Sequence, residues 1–217
     1  MHQRTASTTT TARRPATLLS LGAVAALALS ACAGQDSGAE GDGETASSAA
    51  DSAALATAAV QDGDGQDAGT AEFTETDGGM EISVDLENLE PGHHGLHLHQ
   101  VGECEPDSAA PDDPSDTGDF LSAGGHLNPD DAQHPDHAGD LPSILVQADG
   151  TAQITFTTDR LAQEDLLDDD GTALMVHSDA DNFANIPERY APEGADEDST
   201  STGDAGDRAA CGVVEEA

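Results

Sequence analysis

The stretch "TAEFTETDGGMEISVDL" (residues 70–86) alternates apolar and polar residues on both sides of Asp77-Gly78-Gly79. A period of two buries one face of an extended chain and wets the other, and Asp-Gly supplies the positive φ of a tight hairpin. This segment is therefore held to antiparallel β-structure. "ILVQADGTAQITF" (144–156) holds two short strand-like runs joined by Asp149-Gly150, which predicts a second hairpin. "TALMVHS" (172–178) is another strand-like run. Only "LAQEDLL" (161–167) predicts a helix, one or two turns long and capped at Thr158 or Asp159. Between these runs lie 104–143 and 178–207, rich in Asp, Pro, Gly and Ser. Irregular stretches of that length are either functional or disordered, so the pattern predicts a rigid antiparallel scaffold with a site built on loops.

The N-terminus is of another kind. Arg4, Arg13 and Arg14 precede the apolar "LLSLGAVAALALSA" (18–31), which is too short to span a bilayer comfortably. Residues 1–31 read as an export signal peptide. Leu29-Ser30-Ala31-Cys32 resembles the lipobox of bacterial lipoproteins. That resemblance implies acylation of Cys32 and an exported, extracytoplasmic lipoprotein that touches the cell membrane only through its lipid anchor. An ordinary signal peptide, with Cys32 an incidental thiol, is the alternative. Residues 33–52 contain only Gly, Ala, Ser, Thr, Gln, Asp and Glu, so 32–52 read as an acidic disordered tether. The folded domain is then 53–217. One lipid-bearing cysteine plus a Cys104–Cys211 pair uses all three cysteines, and disulfides persist in exported proteins.

Charge excludes some partners. The sequence carries 44 acidic residues, six arginines and no lysine, a formal net charge of −38. Removing residues 1–31 deletes three of the arginines and no acid, which leaves about −41. Nucleic acid and anionic lipid surfaces are excluded as partners on this ground, while high salt would relieve the self-repulsion and a saline habitat is one hypothesis.

The histidines carry the chemistry. Residues two apart on a strand share a face, so His97 and His99 can grip one ion side by side. His126 follows Gly124-Gly125, and His134, His137 and Asp140 follow at steps of three in a segment with Pro135 and Gly139. That spacing suits a loop wrapped around an ion. Nitrogen ligands with one carboxylate fit tetrahedral Zn²⁺, and several imidazoles without thiolate also suit Cu²⁺. Any one of these histidines alone reads as a surface or core residue. Six imidazoles in three sets, counting His177, point to two metals.

In order along the chain, "HGLHLHQVGEC", "SAGGHLNP", "HAGDLP", "LMVHSDAD" and "GDAGDRAACGVV" resemble a bacterial exported copper–zinc superoxide dismutase, over roughly residues 55–214. The resemblance implies an all-β fold, an eight-stranded antiparallel Greek-key β-sandwich or barrel with long metal-binding and electrostatic loops. It implies Cu and Zn as cofactors and superoxide as the small-molecule substrate. His97, His99, His126 and His177 match the copper ligands, and His126, His134, His137 and Asp140 the zinc ligands, with His126 bridging. Asp181 matches a carboxylate that hydrogen-bonds a ligand from each site. Arg208 matches the arginine that guides the anion, and Cys104–Cys211 the internal disulfide. His134 and His137 are closer together than the corresponding residues in many members, so the zinc loop is short. His94 looks like a hydrogen-bonding residue behind the copper ligands and His93 a solvated one. Family members differ in oligomeric state, a homodimer among them.

The implied reaction converts two superoxide ions and two protons into O₂ and H₂O₂ by alternate reduction and reoxidation of copper. His126 would release the reduced copper and carry a proton to the second substrate. Three other readings compete: a surface metal buffer, which needs no Arg208; a zinc hydrolase, which needs an open zinc position; and an acidic adhesion module on an inactive sandwich. For Arg160 and Arg189, salt bridges to nearby acids are the simpler expectation.

Overall fold

A computed structural model describes residues 53–217; the segments expected to be a signal and a tether, with Cys32, lie outside the described residues. The chain runs through β1 (Ala56–Asp62), β2 (Asp67–Thr76), β3 (Gly79–Leu86), β4 (Gly92–His94), β5 (Leu96–His99), β6 (Ser108–Ala109), β7 (Thr117–Gly118), β8 (Ile144–Val146), β9 (Ala152–Thr158), α1 (Gln163–Leu166), β10 (Ala173–His177), α2 (Glu197–Ser201) and β11 (Arg208–Glu216). Seven strands form one curled antiparallel sheet in the order β5-β10-β11-β1-β2-β3-β9, and β4 pairs with β8. Gly95 alone separates β4 from β5. Counting those two as one interrupted strand, and setting aside the two-residue β6–β7 ladder, gives the eight strands expected.

The alternation of 70–86 is realised as read. Met80, Ile82, Val84 and Leu86 are buried between exposed Glu81, Ser83 and Asp85, and β2 and β3 pair from Gly69↔Leu86 to Thr76↔Gly79. The positive φ of this hairpin falls at Gly79 (φ 124°), where a Cβ would overlap the carbonyl of Thr158 on the neighbouring β9.

Two local expectations need correction. Asp149-Gly150 does form a turn, with Gln147 N donating to Thr151 O (2.7 Å) and Gly150 at φ 85°. The flanking strands do not form a hairpin ladder, because β8 pairs with β4 while β9 pairs with β3. The turn carries the chain from one sheet to another, which local sequence cannot distinguish from a hairpin. The helix in 161–167 shrinks to four residues, with Ala162 at its N-cap and Asp165 Oδ2 accepting from Ala162 N (2.8 Å). Thr158 is committed to the β9–β3 ladder opposite Met80, so its hydroxyl serves only the following turn, at Arg160 N.

β5 and β10 are buried on both faces. Leu96, Leu98, Leu174 and Val176 join the main core. On the other face, Ala173 and Met175 lie under a small cluster of Phe120, Ala123 and Cys211, packed against Cys104. The outer face is thus roofed by the 104–143 loop, and there the histidines lie. Cys104 and Cys211 form the expected disulfide, tying that loop to β11 across 107 positions. The Cys104→Ser/Cys211→Ser variant is expected to lose about 2–5 kcal/mol of unfolding free energy, the usual range for a bond closing so long a loop. Urea unfolding reads this directly; an unchanged midpoint and slope would count against it.

Candidate metal centre

The free edge of β5 is where the candidate ligands converge. Leu127 N donates to Leu98 O (2.8 Å), Leu98 N to Gly139 O (2.9 Å), and single β-bridges join His97 to Asp140 and His99 to His126. The loop lies so close that a Cβ on Gly139 would overlap Leu98 O. A strand edge that would otherwise be unpaired is used to set His126 and Asp140 beside His97 and His99. His177 arrives from β10 at a register shift after Val176, opposite Arg208 at the start of β11.

Two ligand sets result, each with its nitrogen and oxygen atoms within 4.8 Å of one another: His97, His99, His126 and His177, and His126, His134, His137 and Asp140. His126 belongs to both. Its Nδ1 lies 2.8 Å from Asp140 Oδ1, which leaves Nε2 for the other set. Asp140 Oδ2 lies 3.0 Å from His134 Nδ1 and 3.1 Å from His137 Nδ1. The short spacing of 134–140 therefore still brings all four zinc-type donors together.

The chemistry of the donors fits a metal. His97 Nδ1, His99 Nε2 and His177 Nε2 are buried and have no hydrogen-bond partner among the described residues. Three such atoms in one place would be costly without an occupant. Each ring's other nitrogen is tied. His97 Nε2 donates to Asp181 Oδ2 (2.7 Å), His134 Nε2 to Asp181 Oδ1 (3.0 Å), His99 Nδ1 to Gly124 O (2.8 Å) and His177 Nδ1 to Gly206 O (3.2 Å). These bonds fix the tautomers and aim the orphaned nitrogens inward. Asp181 therefore spans the two sets as the resemblance implied. His94, buried, lies with its two ring nitrogens 2.7 Å from His177 O and 2.8 Å from Glu90 O, while His93 is exposed.

Electrostatics set His134 apart from the other shifted rings, His97 and His137 included, which burial lowers. Burial pushes His99 well below the ordinary histidine value, and burial with His97 nearby takes His177 down to about 3. Burial also pulls on His134, but hydrogen bonds to Asp140 and Asp181 outweigh it and raise that ring to about 9. Both carboxylates are held well below the usual carboxylate range: burial opposes this, and their histidine partners prevail.

Arg208 lines the same cleft of about 470 Å³ as His99, His126 and His177. Its guanidinium donates to Phe120 O (2.5 Å) and Gly124 O (2.6 Å) and makes no ion pair among the described residues. Burial lowers its pKa from the ordinary arginine value, with Asp116 opposing. Arg160 pairs with Asp136 (3.2 Å), as expected of a surface arginine. Arg189 does not follow that expectation: it stacks on the Tyr190 ring at 4.6 Å. Sequence reasoning missed the carbonyls of Phe120, Gly124 and Gly206, which orient side chains without any side-chain signal of their own. Phe120 gives the one hint in retrospect, a buried bulky residue at φ 58°.

Comparisons with known proteins agree with this geometry. The family model described as copper/zinc superoxide dismutase matches residues 67–214. The superoxide dismutase [Cu-Zn] of Mycobacterium tuberculosis is 45% identical over 159 residues, covering 70% of this chain and 66% of that protein's length. That of Mycolicibacterium paratuberculosis is 46% identical over 164 residues, covering 70% of each. The solved Cu/Zn superoxide dismutase from Brucella abortus superposes with a TM-score of 0.57 at 31% identity, covering 73% of this chain and 98% of that one. With the family model matching most of the chain, and the two ligand sets sharing His126, the chain belongs to the copper/zinc superoxide dismutase family.

Proposed function

We propose that the chain dismutates superoxide, with copper held by His97, His99, His126 and His177 and zinc by His126, His134, His137 and Asp140. The observation that carries this is one imidazole shared by two candidate ligand sets and lining the same cleft as an arginine that makes no ion pair among the described residues. Bound copper would supply the one-electron chemistry and bound zinc a fixed positive charge beside the shared ring. Arg208 would hold the anionic substrate in the cleft, its guanidinium anchored by two carbonyls. His126 lines the cleft, and its Nε2, the nitrogen not beside Asp140, can hold a proton for the second superoxide. Asp181 keeps His97 and His134 in register, so a change on one side is felt on the other.

A metal buffer needs the histidines but has no use for an anchored cation beside them. A zinc hydrolase needs an open position, whereas three histidines and Asp140 fill a tetrahedral site. The deciding experiment measures metal content and superoxide consumption on the same sample loaded with both ions. One copper and one zinc per chain with fast dismutation is expected; bound metal without activity would leave the buffer in front.

The proposal extends to compartment: an export signal over 1–31, acylation at Cys32 and anchoring by that lipid. The Cys104–Cys211 disulfide supports an oxidising location. Cys32→Ser should move the protein from the membrane fraction to the soluble fraction; equal distribution of both forms would refute the anchor.

A further inference from the structure

We propose that Gly203 is a positioning residue for the zinc side of the centre: the space its missing side chain leaves is where the Asp181 carboxylate makes its bridge. This rests on the zinc assignment above. Gly203 follows the last turn of α2 at φ 72°, and its carbonyl accepts from Asn182 N (2.9 Å), which presses it against the segment carrying Asp181. A Cβ built on it would overlap Asp181 Oδ1 and stand 2.7 Å from His134 Nε2.

The carboxylate has nowhere to retreat. Oδ2 accepts from His97, and Oδ1 accepts from both His134 and Phe183 N (2.7 Å), so any swing drops at least one bond. Asp181 is also buried. The bond under most pressure is the one to His134 Nε2, which lies on the same side as the added carbon. Losing it frees the His134 ring to rotate and withdraws Nδ1 from the zinc set.

A second explanation for this glycine must be separated from the first. Thr202 N and Asp204 N both donate to Asp198 O (3.1 and 3.3 Å), so Gly203 also closes α2 in the left-handed conformation. That duty asks only for a residue tolerant of positive φ, and asparagine is the usual substitute. Clearance asks for no Cβ at all. Gly203→Asn therefore satisfies one requirement and violates the other, and it remains informative where Gly203→Ala fails to fold.

The test uses the full chain, wild type and with Gly203→Ala or Gly203→Asn, each with and without Asp181→Ala. Zn²⁺ affinity is read by chelator competition, and the visible absorption of Co²⁺ bound in its place reports ligand geometry. Both glycine variants should bind Zn²⁺ about 10- to 100-fold more weakly than wild type, the usual cost of disturbing a group that orients a ligand. Their Co²⁺ spectra should change. In the Asp181→Ala background either variant should weaken binding by less than it does beside Asp181, since the colliding carboxylate is gone and only the contact with His134 Nε2 remains. Gly203→Asn matching the wild type would assign the glycine to the helix end and overturn the proposal. So would an equal loss with and without Asp181. A wild-type chain that takes up neither Zn²⁺ nor Co²⁺ would overturn the zinc assignment itself, and Gly203's role with it.

Discussion

Arg208→Gln is expected to lower the second-order rate constant for superoxide by about 10- to 10³-fold, with copper and zinc content unchanged. The range is that of electrostatic focusing into a charged cleft. It agrees with one charge acting on a small anion about 4 Å away, worth about 4 kcal/mol at an effective dielectric constant near 20. Among the described residues the cleft has Asp131 on its wall and Arg208 as its permanent cation. An adjoining cleft, also bordered by Arg208, brings Asp116, Asp119 and Asp207. With a net charge of −38 behind them, added salt should raise the wild-type rate, because it screens long-range repulsion more than short-range attraction. The glutamine variant should show a steeper rise. Arg208 also shares the Gly124 carbonyl with His99, so the substitution disturbs a copper-side ligand as well as removing a charge. Salt separates the two effects, since a deficit caused by lost charge shrinks at high ionic strength and one caused by a displaced His99 does not. A wild-type rate that falls steadily with salt would show that Arg208 dominates the field alone.

The candidate ligands were legible because metal chemistry restricts residue type. Histidine at 97 and 99 on a strand, with Asp140 three residues after His137, leaves few other uses. The hairpin around Asp77-Gly78-Gly79 was legible because one side of it faces water, so burial alternates. β5 and β10 show the limit. Both are buried throughout, which removes the alternation that would have marked which face the histidines occupy. The Asp149-Gly150 turn misled for a related reason: turn chemistry is local, but whether two strands pair is decided by their other neighbours, here β4 and β3. Least legible were the groups that orient the ligands. A carbonyl such as Gly124 O belongs to every residue, and nothing in sequence says that this one receives both His99 and Arg208.

Acidification should release zinc before copper, and the reason lies in how the metal-free centre holds protons. His134, raised to about 9, is protonated at neutral pH between Asp140 and Asp181. Its folded-state pKa lies above the ordinary 6.5, so the stability it lends the metal-free protein is fully present below about 6.5 and lost as pH rises through 9. Zinc needs the ring neutral and must displace that proton. Its apparent affinity therefore falls about tenfold per pH unit below 9, or roughly 10³-fold from pH 8 to pH 5, from this one group. The carboxylates add nothing in that window, since both stay ionised far below it. The copper side behaves oppositely. His177, at about 3, and His99, well below its ordinary value, are already neutral at pH 7 and release no proton on binding. Competition titrations of Zn²⁺ and Cu²⁺ between pH 5 and 8, corrected for the chelator's own protonation, should show a steep line for zinc and a shallower one for copper. Equal zinc affinity at pH 6 and pH 8 would mean that the proton between Asp140 and Asp181 is not there to be displaced.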